Sequence, residues 1–245
     1  MSIKIGVFGG GGKMGAAVEQ MSNSLSEKLG LAPFLFAGGA KESAQFSISV
    51  SSIDKVEEDV LADVDVWIDF SSPEGLEHLL KVTKKFKTPV VSGSTGLSDR
   101  QFLLLKKDAK TRPLFWASNM SLGLWAFRQA LSGLKHIAHF DFAVEEFHHN
   151  QKKDKPSGTA KTIHKDLERI LNKKVEAPVS FRMGGIFGVH NVYAASSNEV
   201  IMLQHQALNR TVFAEGALIA AAWLYKQKPG LYSMDELFNN SKKNS

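Results

Sequence analysis

Apolar positions follow two periods along this chain. In the first half, short hydrophobic runs at residues 3–8, 34–37, 64–70, 89–92 and 114–117 read as buried strands. Between them, helical spacing over 14–29, 73–86 and 98–109 is opened or closed by Gly, Pro or Ser where a boundary belongs. Alternation of strand and helix predicts a parallel sheet wrapped by helices. After Asn119 the rhythm changes. A helix over 121–138 leads into an alternating strand at 140–147, a polar loop, a Lys-rich helix over 157–171 and strands at 179–183, 189–195 and 199–206. Strands that follow one another without helices predict a second sheet, mixed or antiparallel. An apolar helix over 212–225 and a short one over 234–238 are expected to return to the first sheet, and the polar tail 239–245 to fray. One domain is therefore expected over 1–119, completed by 211–245, and a second over 120–210.

Composition narrows what such a chain does. With 43% hydrophobic and 22% charged residues in 245, a packed core is expected. The longest nearly uncharged apolar stretch, 216–225, falls short of the roughly 20 residues that span a bilayer, so no membrane role is expected. Strand character beginning at Ile3 leaves no room for a secretory signal and points to the cytoplasm. The absence of cysteine excludes disulfides, thiolate zinc sites and a cysteine nucleophile, and with the last an aldehyde dehydrogenase working through a thiohemiacetal. The net charge of +5 is concentrated in 120–210, where 12 Lys and Arg face 8 Asp and Glu. Such an excess suits an anionic ligand or a nucleic acid. Aromatic stacking residues are absent from 152–174, which argues against nucleic acid.

The motifs carry the chemistry. Gly9, Gly10, Gly11, Gly12, Lys13, Met14 and Gly15 follow a strand and open a helix, the context that turns a glycine cluster into a dinucleotide site. Gly9 permits the turn, Gly12 lets backbone approach a pyrophosphate, Gly15 allows close packing, and the helix start offers oriented N–H groups. The fold expected is thus α/β, an N-terminal Rossmann-type doubly wound parallel sheet with a central α+β domain. NAD sites usually place a carboxylate at the tip of the second strand, but here the tip reads Ala37-Gly38-Gly39-Ala40-Lys41. Lys41 would favour a 2′-phosphate and hence NADPH over NADH; Glu42 swinging in as the ribose ligand is the competing reading. Two further loops, Gly93-Ser94-Thr95-Gly96 and Ala117-Ser118-Asn119-Met120, leave strands at the same carboxyl edge, where they would flank one nicotinamide ring.

The densest constellation runs from Glu145 to Ala160. His148 and His149 end a strand, Lys152 follows, and Ser157-Gly158-Thr159 opens a helix. Proton carriers stand beside an anion trap of N–H and hydroxyl donors. A metal site of Glu146, His148 and His149 is disfavoured, because adjacent strand residues point to opposite faces. A structural role for the His pair, with Ser157 only a helix cap, stays open. Arg182, Gly184, Gly185, Gly188 and His190 mark a glycine-rich connection between strands, and Arg210 opens the last long helix; turn geometry or solvation is the default reading for each.

These residues resemble the bacterial dihydrodipicolinate reductases, also called 4-hydroxy-tetrahydrodipicolinate reductases, over nearly the full chain. The resemblance is carried by Lys13-Met14-Gly15, Asp69 to Gly75, Gly93 to Gly96, Asn119 to Gly123, and above all His148-His149, Lys152, Asp154 and Pro156 to Ala160. Arg182 to Gly188, His190, Glu199, Arg210 and Phe213 to Ala217 add order and spacing. Departures fall at Ala40, where the family's acidic residue stands, at Ser94, where Thr is usual, and at Asn150, Gln151, Lys153 and Lys155.

The resemblance implies an NAD(P)H-dependent oxidoreductase that reduces a cyclic dicarboxylate to tetrahydrodipicolinate in lysine and diaminopimelate biosynthesis. Hydride would reach a conjugated ring carbon after loss of the 4-hydroxyl as water. His148 would carry the proton and Lys152 would stabilise developing charge. His149, Ser157, Gly158 and Thr159 would hold the carboxylates, and the domains would close over the ring. It also implies a homotetramer built through the central sheet, with Ile201 and Leu203 alternating against Met202 and Gln204. A non-catalytic redox sensor that binds a dinucleotide is the alternative; it has no need of the His148, Lys152 and Ser157 to Thr159 cluster.

Overall fold

A computed structural model of the chain describes residues 2–38 and 43–239. Ala40, Lys41 and Glu42, on which the reading of cofactor preference rests, and most of the tail lie outside the described residues. The chain divides into two compact units, Met1–Met120 with Phe213–Ser245, and Ser121–Val212.

The first unit opens with β1 (Ile3–Phe8), α1 (Lys13–Leu29), β2 (Leu31–Ala37) and β3 (Ile48–Val50). It continues through α2 (Glu58–Ala62), β4 (Val66–Asp69), α3 (Pro73–Thr83), β5 (Val90–Ser92), α4 (Asp99–Asp108) and β6 (Pro113–Trp116). The second unit holds α5 (Leu122–Ala130), β7 (Asp141–His148), α6 (Gly158–Leu171), β8 (Val179–Arg182), β9 (Gly188–Ala195) and β10 (Val200–Ala207). Then α7 (Thr211–Leu224), β11 (Gly230–Tyr232) and α8 (Met234–Asn239) close the chain, β11 pairing in parallel with β6.

Seven parallel strands run in the order β11-β6-β5-β4-β1-β2-β3. This is the doubly wound order, whose direction reverses between β1 and β4, and the crevice at that reversal is where such sheets take ligands. The apolar runs that read as buried strands are buried because helices cover both faces; Ile5, Val7, Leu35, Trp67, Ile68, Val91 and Leu114 are almost wholly inaccessible. Local chemistry sets the helix starts. Ser72 caps α3 ahead of Pro73, and Ser98 with Gln101 forms a reciprocal capping box on α4.

The second unit is a mixed sheet, β10-β9-β7-β8, in which β7 and β8 are parallel and the other pairs antiparallel. One face packs Val144, Val192 and Ala194 against Leu124, Phe127, Ile163 and Leu167 from the helices. Ile201 and Leu203 also lie against this core, whereas Val179, Phe181, Val200 and Met202 are exposed. The helix expected over 121–138 is shorter than its pattern. It is α-helical to Ala130 and then a 3₁₀ segment, Leu131–Ile137. Leu131 and Leu134 are both buried, and a spacing of three brings side chains onto one face in a 3₁₀ turn, while Gly133 weakens the α alternative.

Candidate active site

Strand alternation builds the site in the second unit. On β7 the burial pattern places Val144, Glu146 and His148 on the covered face, so Glu146 and His148 share one side. Register then brings Arg182 of β8 opposite His148 and His190 of β9 opposite Glu146. The Glu146 side chain is fully buried. Its Oε1 accepts from Arg182 Nη2 at 2.8 Å and from the Ser157 N–H at 3.2 Å, and its Oε2 meets His148 Nδ1. Both atoms are buried and in contact with each other, and the Ser180 side chain also helps hold the carboxylate ionised.

Arg182 does more than neutralise Glu146. Its Nε donates to the Lys152 carbonyl at 3.1 Å and its Nη2 to the Asp154 carbonyl at 2.5 Å, which fixes the loop beyond His148. Lys152 Nζ reaches Asp154 Oδ1 at 2.8 Å. Ser157 is buried and caps α6, its Oγ accepting from the Ala160 N–H, with His190 Nε2 at 3.4 Å from the same oxygen. Gly158 and Thr159 form the first turn of α6. His149 lies just past β7, half-buried, and its carbonyl accepts from the Lys152 N–H.

Burial sets the charges. His148 is pushed below the usual histidine range chiefly by burial, against the pull of the Glu146 anion and with Lys152 and Arg182 lowering it further. His190 is pushed down to about 3 by burial and by the neighbouring His148 and His205, so it is neutral at physiological pH. Burial works to raise Glu146, but the Arg182 hydrogen bond leads the opposing contacts and holds it below the usual carboxylate range. The His148 and His190 rings meet edge on at 5.2 Å. Ligand atoms of Glu146, His148 and His190 lie within 4.8 Å of one another, the composition of a divalent-cation site. Sequence reasoning weighed such a trio with His149 in place of His190. The Arg182 guanidinium already shares the carboxylate through Oε1, and His190 Nε2 faces the Ser157 hydroxyl.

In the first unit, Gly9 has φ +86° and a Cβ there would stand 2.8 Å from the Phe70 backbone; one at Gly15 would stand 2.2 Å from the Gly10 carbonyl. Only glycine fits either place. The Gly10 and Gly11 N–H groups donate to the carbonyls of Ala37 and Gly38, and that of Gly12 to Gly9. Free donors therefore begin at the helix. No side chain caps α1 at Gly12 and no acidic residue occupies its first turn, so the amides of Lys13 and Met14 fit a pyrophosphate. Asp69, ending β4, accepts from the hydroxyls of Ser71, Ser92 and Ser94. Burial raises the Asp69 carboxyl despite those donors. The Ser94 side chain is turned inward to Asp69, whereas Thr95 is exposed. Trp116 Nε1 donates to the Ser94 carbonyl and Ala117 N–H to that of Ser92, bringing the Ala117 to Met120 loop alongside. Met120 is buried, and Ser118 and Asn119 are the polar members of that loop.

Arg182 and His190 carry more of the site than their reading as turn residues gave them, and His205, whose Nε2 lies 3.3 Å from Ser121 Oγ, was not singled out. The signal available for Glu146 was its spacing of two from His148.

Residues 3–120 match the family described as Dihydrodipicolinate reductase, N-terminus, and residues 123–238 its C-terminus. The 4-hydroxy-tetrahydrodipicolinate reductase of Bdellovibrio bacteriovorus is 54% identical over 181 residues, 74% of this chain and 79% of that one. Its counterpart from Rickettsia canadensis is 37% identical over 96% of this chain and 98% of its own. Among solved structures, the dipicolinate-bound dihydrodipicolinate reductase from Paenisporosarcina sp. TG-14 shares the fold with a TM-score of 0.78 at 18% identity, covering 97% of this chain and 100% of that one. A myo-inositol dehydrogenase from Corynebacterium glutamicum shares it with a TM-score of 0.61 at 14% identity, covering 94% and 90%. With both halves matched in order and relatives aligned along almost the whole length, the chain belongs to the dihydrodipicolinate reductase family of oxidoreductases.

Proposed function

We propose that the chain reduces 4-hydroxy-tetrahydrodipicolinate to tetrahydrodipicolinate on the diaminopimelate route to lysine, with His148 and Lys152 at the reacting ring. The observation that carries this reading is the gathering of His148, Lys152 and the α6 start by one residue, Arg182, which binds the carboxylate under His148 and the carbonyls of the Lys152 loop. A dicarboxylate needs cationic and N–H partners, and Lys152, His149 and the Ser157 to Thr159 turn supply them. His148 delivers the proton, and Lys152 stabilises charge that develops as the ring is reduced.

A pyridine nucleotide supplies the hydride when bound. The turn Gly9 to Gly12 would let the backbone approach its pyrophosphate, for which the Lys13 and Met14 amides would be the donors, and the loops Gly93, Ser94, Thr95 and Ala117, Ser118, Asn119, Met120 would flank the nicotinamide end, Ser94 and Met120 through their backbone. In sequence, Ala40 and Lys41 stand where an NAD-binding chain usually has its acidic residue, which favours NADPH over NADH, with Glu42 as the competing ribose ligand. The open sheet face with Val179, Phe181, Val200 and Met202 supports a homotetramer, because a patch of large apolar side chains on a sheet calls for a partner. Among the described residues no helix is long and apolar enough to cross a membrane, and we place the enzyme in the cytoplasm without nucleic-acid partners.

The test is oxidation of NADPH and NADH by the purified full chain, with substrate generated in place from pyruvate and aspartate semialdehyde. Turnover that needs that substrate, and is faster with NADPH, is the expected result. Nucleotide binding without turnover would bring the sensor reading forward, and light scattering reads the tetramer.

A further inference from the structure

We infer that Glu146, clamped by Arg182 and the Ser157 N–H, is the positioning residue that holds His148 with Nδ1 as the donor and Nε2 as the atom that exchanges protons. The inference rests on the reading of His148 as the proton carrier and deepens it. A carboxylate in contact with one ring nitrogen decides which nitrogen carries the proton in the neutral ring. Here Glu146 Oε2 touches Nδ1, and Nδ1 has no other acceptor among the described residues. Nε2 lies instead against Gly188, where the missing side chain leaves room; a Cβ built there would stand 3.1 Å from it. The two nitrogens are therefore divided between a fixed anion and an open position.

Glu146 is suited to this task by how it is held. It is fully buried, yet its second oxygen receives a guanidinium at 2.8 Å and an N–H at 3.2 Å, so it stays ionised and cannot rotate away. Glu146 is also the anion opposing a surplus of positive neighbours. The groups facing His148 are Glu146 on its own strand, Lys152 with its partner Asp154 on the following loop, Arg182 on β8 and His190 on β9, behind which stands His205 on β10. Burial, Lys152 and Arg182 all disfavour the imidazolium, and Glu146 alone favours it. Without the carboxylate, His148 would be held neutral still more strongly, and Nδ1 would lose the anion that fixes it.

The experiment compares wild type with Glu146→Gln, Glu146→Asp and His148→Gln, each over a pH series, together with ¹⁵N-edited spectra of the histidine rings. Glu146→Gln is expected to lower kcat about 10- to 100-fold. Its activity should also decline at a lower pH than wild type as pH rises, since the carboxylate that favours the imidazolium is gone. Glu146→Asp keeps the charge, so its decline should stay near the wild-type pH with a smaller loss of kcat. A purely structural role would reduce the folded fraction and leave that pH unmoved, which would overturn the inference. So would spectra of the wild type showing neutral His148 protonated on Nε2. If His148→Gln turns over like wild type, the proton-carrier reading fails, while the ring spectra still decide whether Glu146 positions the imidazole.

Discussion

Lys152 Nζ lies 2.8 Å from Asp154 Oδ1, so the cation assigned to a substrate carboxylate already carries an anion of the chain's own. Burial works to raise the Asp154 carboxyl, but Lys152 and nearby backbone N–H groups, that of Gly158 among them, hold it below the usual range. Asp154 thus sits on the donors that a dicarboxylate would claim. Replacing Asp154 with Asn removes the competing charge while Arg182 still holds the residue's carbonyl. The half-exposed pair is worth at most about 1 kcal/mol. Dipicolinate, the ligand of the Paenisporosarcina structure, should therefore bind Asp154→Asn about two- to fivefold more tightly by calorimetry. Weaker binding would mean that Asp154 orients Lys152 rather than competing for it.

The histidine cluster gives the protein an acid limit. His190 has its folded pKa near 3, below an unfolded value near 6.5, so the unfolded chain takes up the proton first as pH falls. Stability is full above about pH 6.5 and declines toward pH 3, by roughly 3 kcal/mol at pH 4 from this group. Glu146, held below the usual range, adds stability above its unfolded pKa that is lost in the same direction. Urea midpoints between pH 7 and pH 4 should fall steeply for wild type and less steeply for His190→Gln. Equal slopes would show that folding does not lower the proton affinity of His190.

The legible parts of this molecule are the local ones. The glycine turn is readable because strand, glycines and helix are contiguous, and His148, Lys152 and Ser157 because they fall within ten residues of chain. Glu146 was within reach, since residues two apart on a strand share a face, yet the sequence draws the eye to His149 as the partner of His148. Arg182 and His190 are different. They reach Glu146 through the registers of β8 and β9, and no period along the chain encodes which residues of distant strands stand opposite each other. The same limit hid β3 and β11, each three residues long, too short to show alternation. The two loops at the nucleotide edge were legible by position, but not that Ser94 turns inward to Asp69.

That inward turn makes Asp69 a structural tie between the ends of β4 and β5. Its carboxylate takes the Ser92 hydroxyl at 2.6 Å and the Ser94 hydroxyl at 2.8 Å, and both serines are buried. Asp69→Ala would strand those donors, at a cost of about 3 kcal/mol in urea unfolding. Asp69→Asn keeps one acceptor oxygen and should cost less. Because the Gly93 to Gly96 loop hangs from Ser94, the KM for the nucleotide should rise in Asp69→Ala more than the KM for the dicarboxylate. An equal rise in both would point to general loosening of the fold.

Gly188 separates space from backbone freedom. Its φ lies outside the left-handed region, so alanine can adopt the same backbone, and alanine in a strand is no worse than glycine for stability. The added methyl would stand 3.1 Å from His148 Nε2 and 3.4 Å from Cδ2, tight enough to cover the nitrogen or tilt the ring. Gly188→Ala should therefore leave the urea midpoint within about 0.5 kcal/mol of wild type. Its kcat should fall about tenfold or more, because proton transfer requires the donor to approach its partner within hydrogen-bond reach. Steady-state kinetics and unfolding on the same preparation check both halves. A variant that is stable and fully active would show that the proton leaves His148 by a route that does not pass Gly188, and loss of both properties would show that the ring and the strand cannot yield independently.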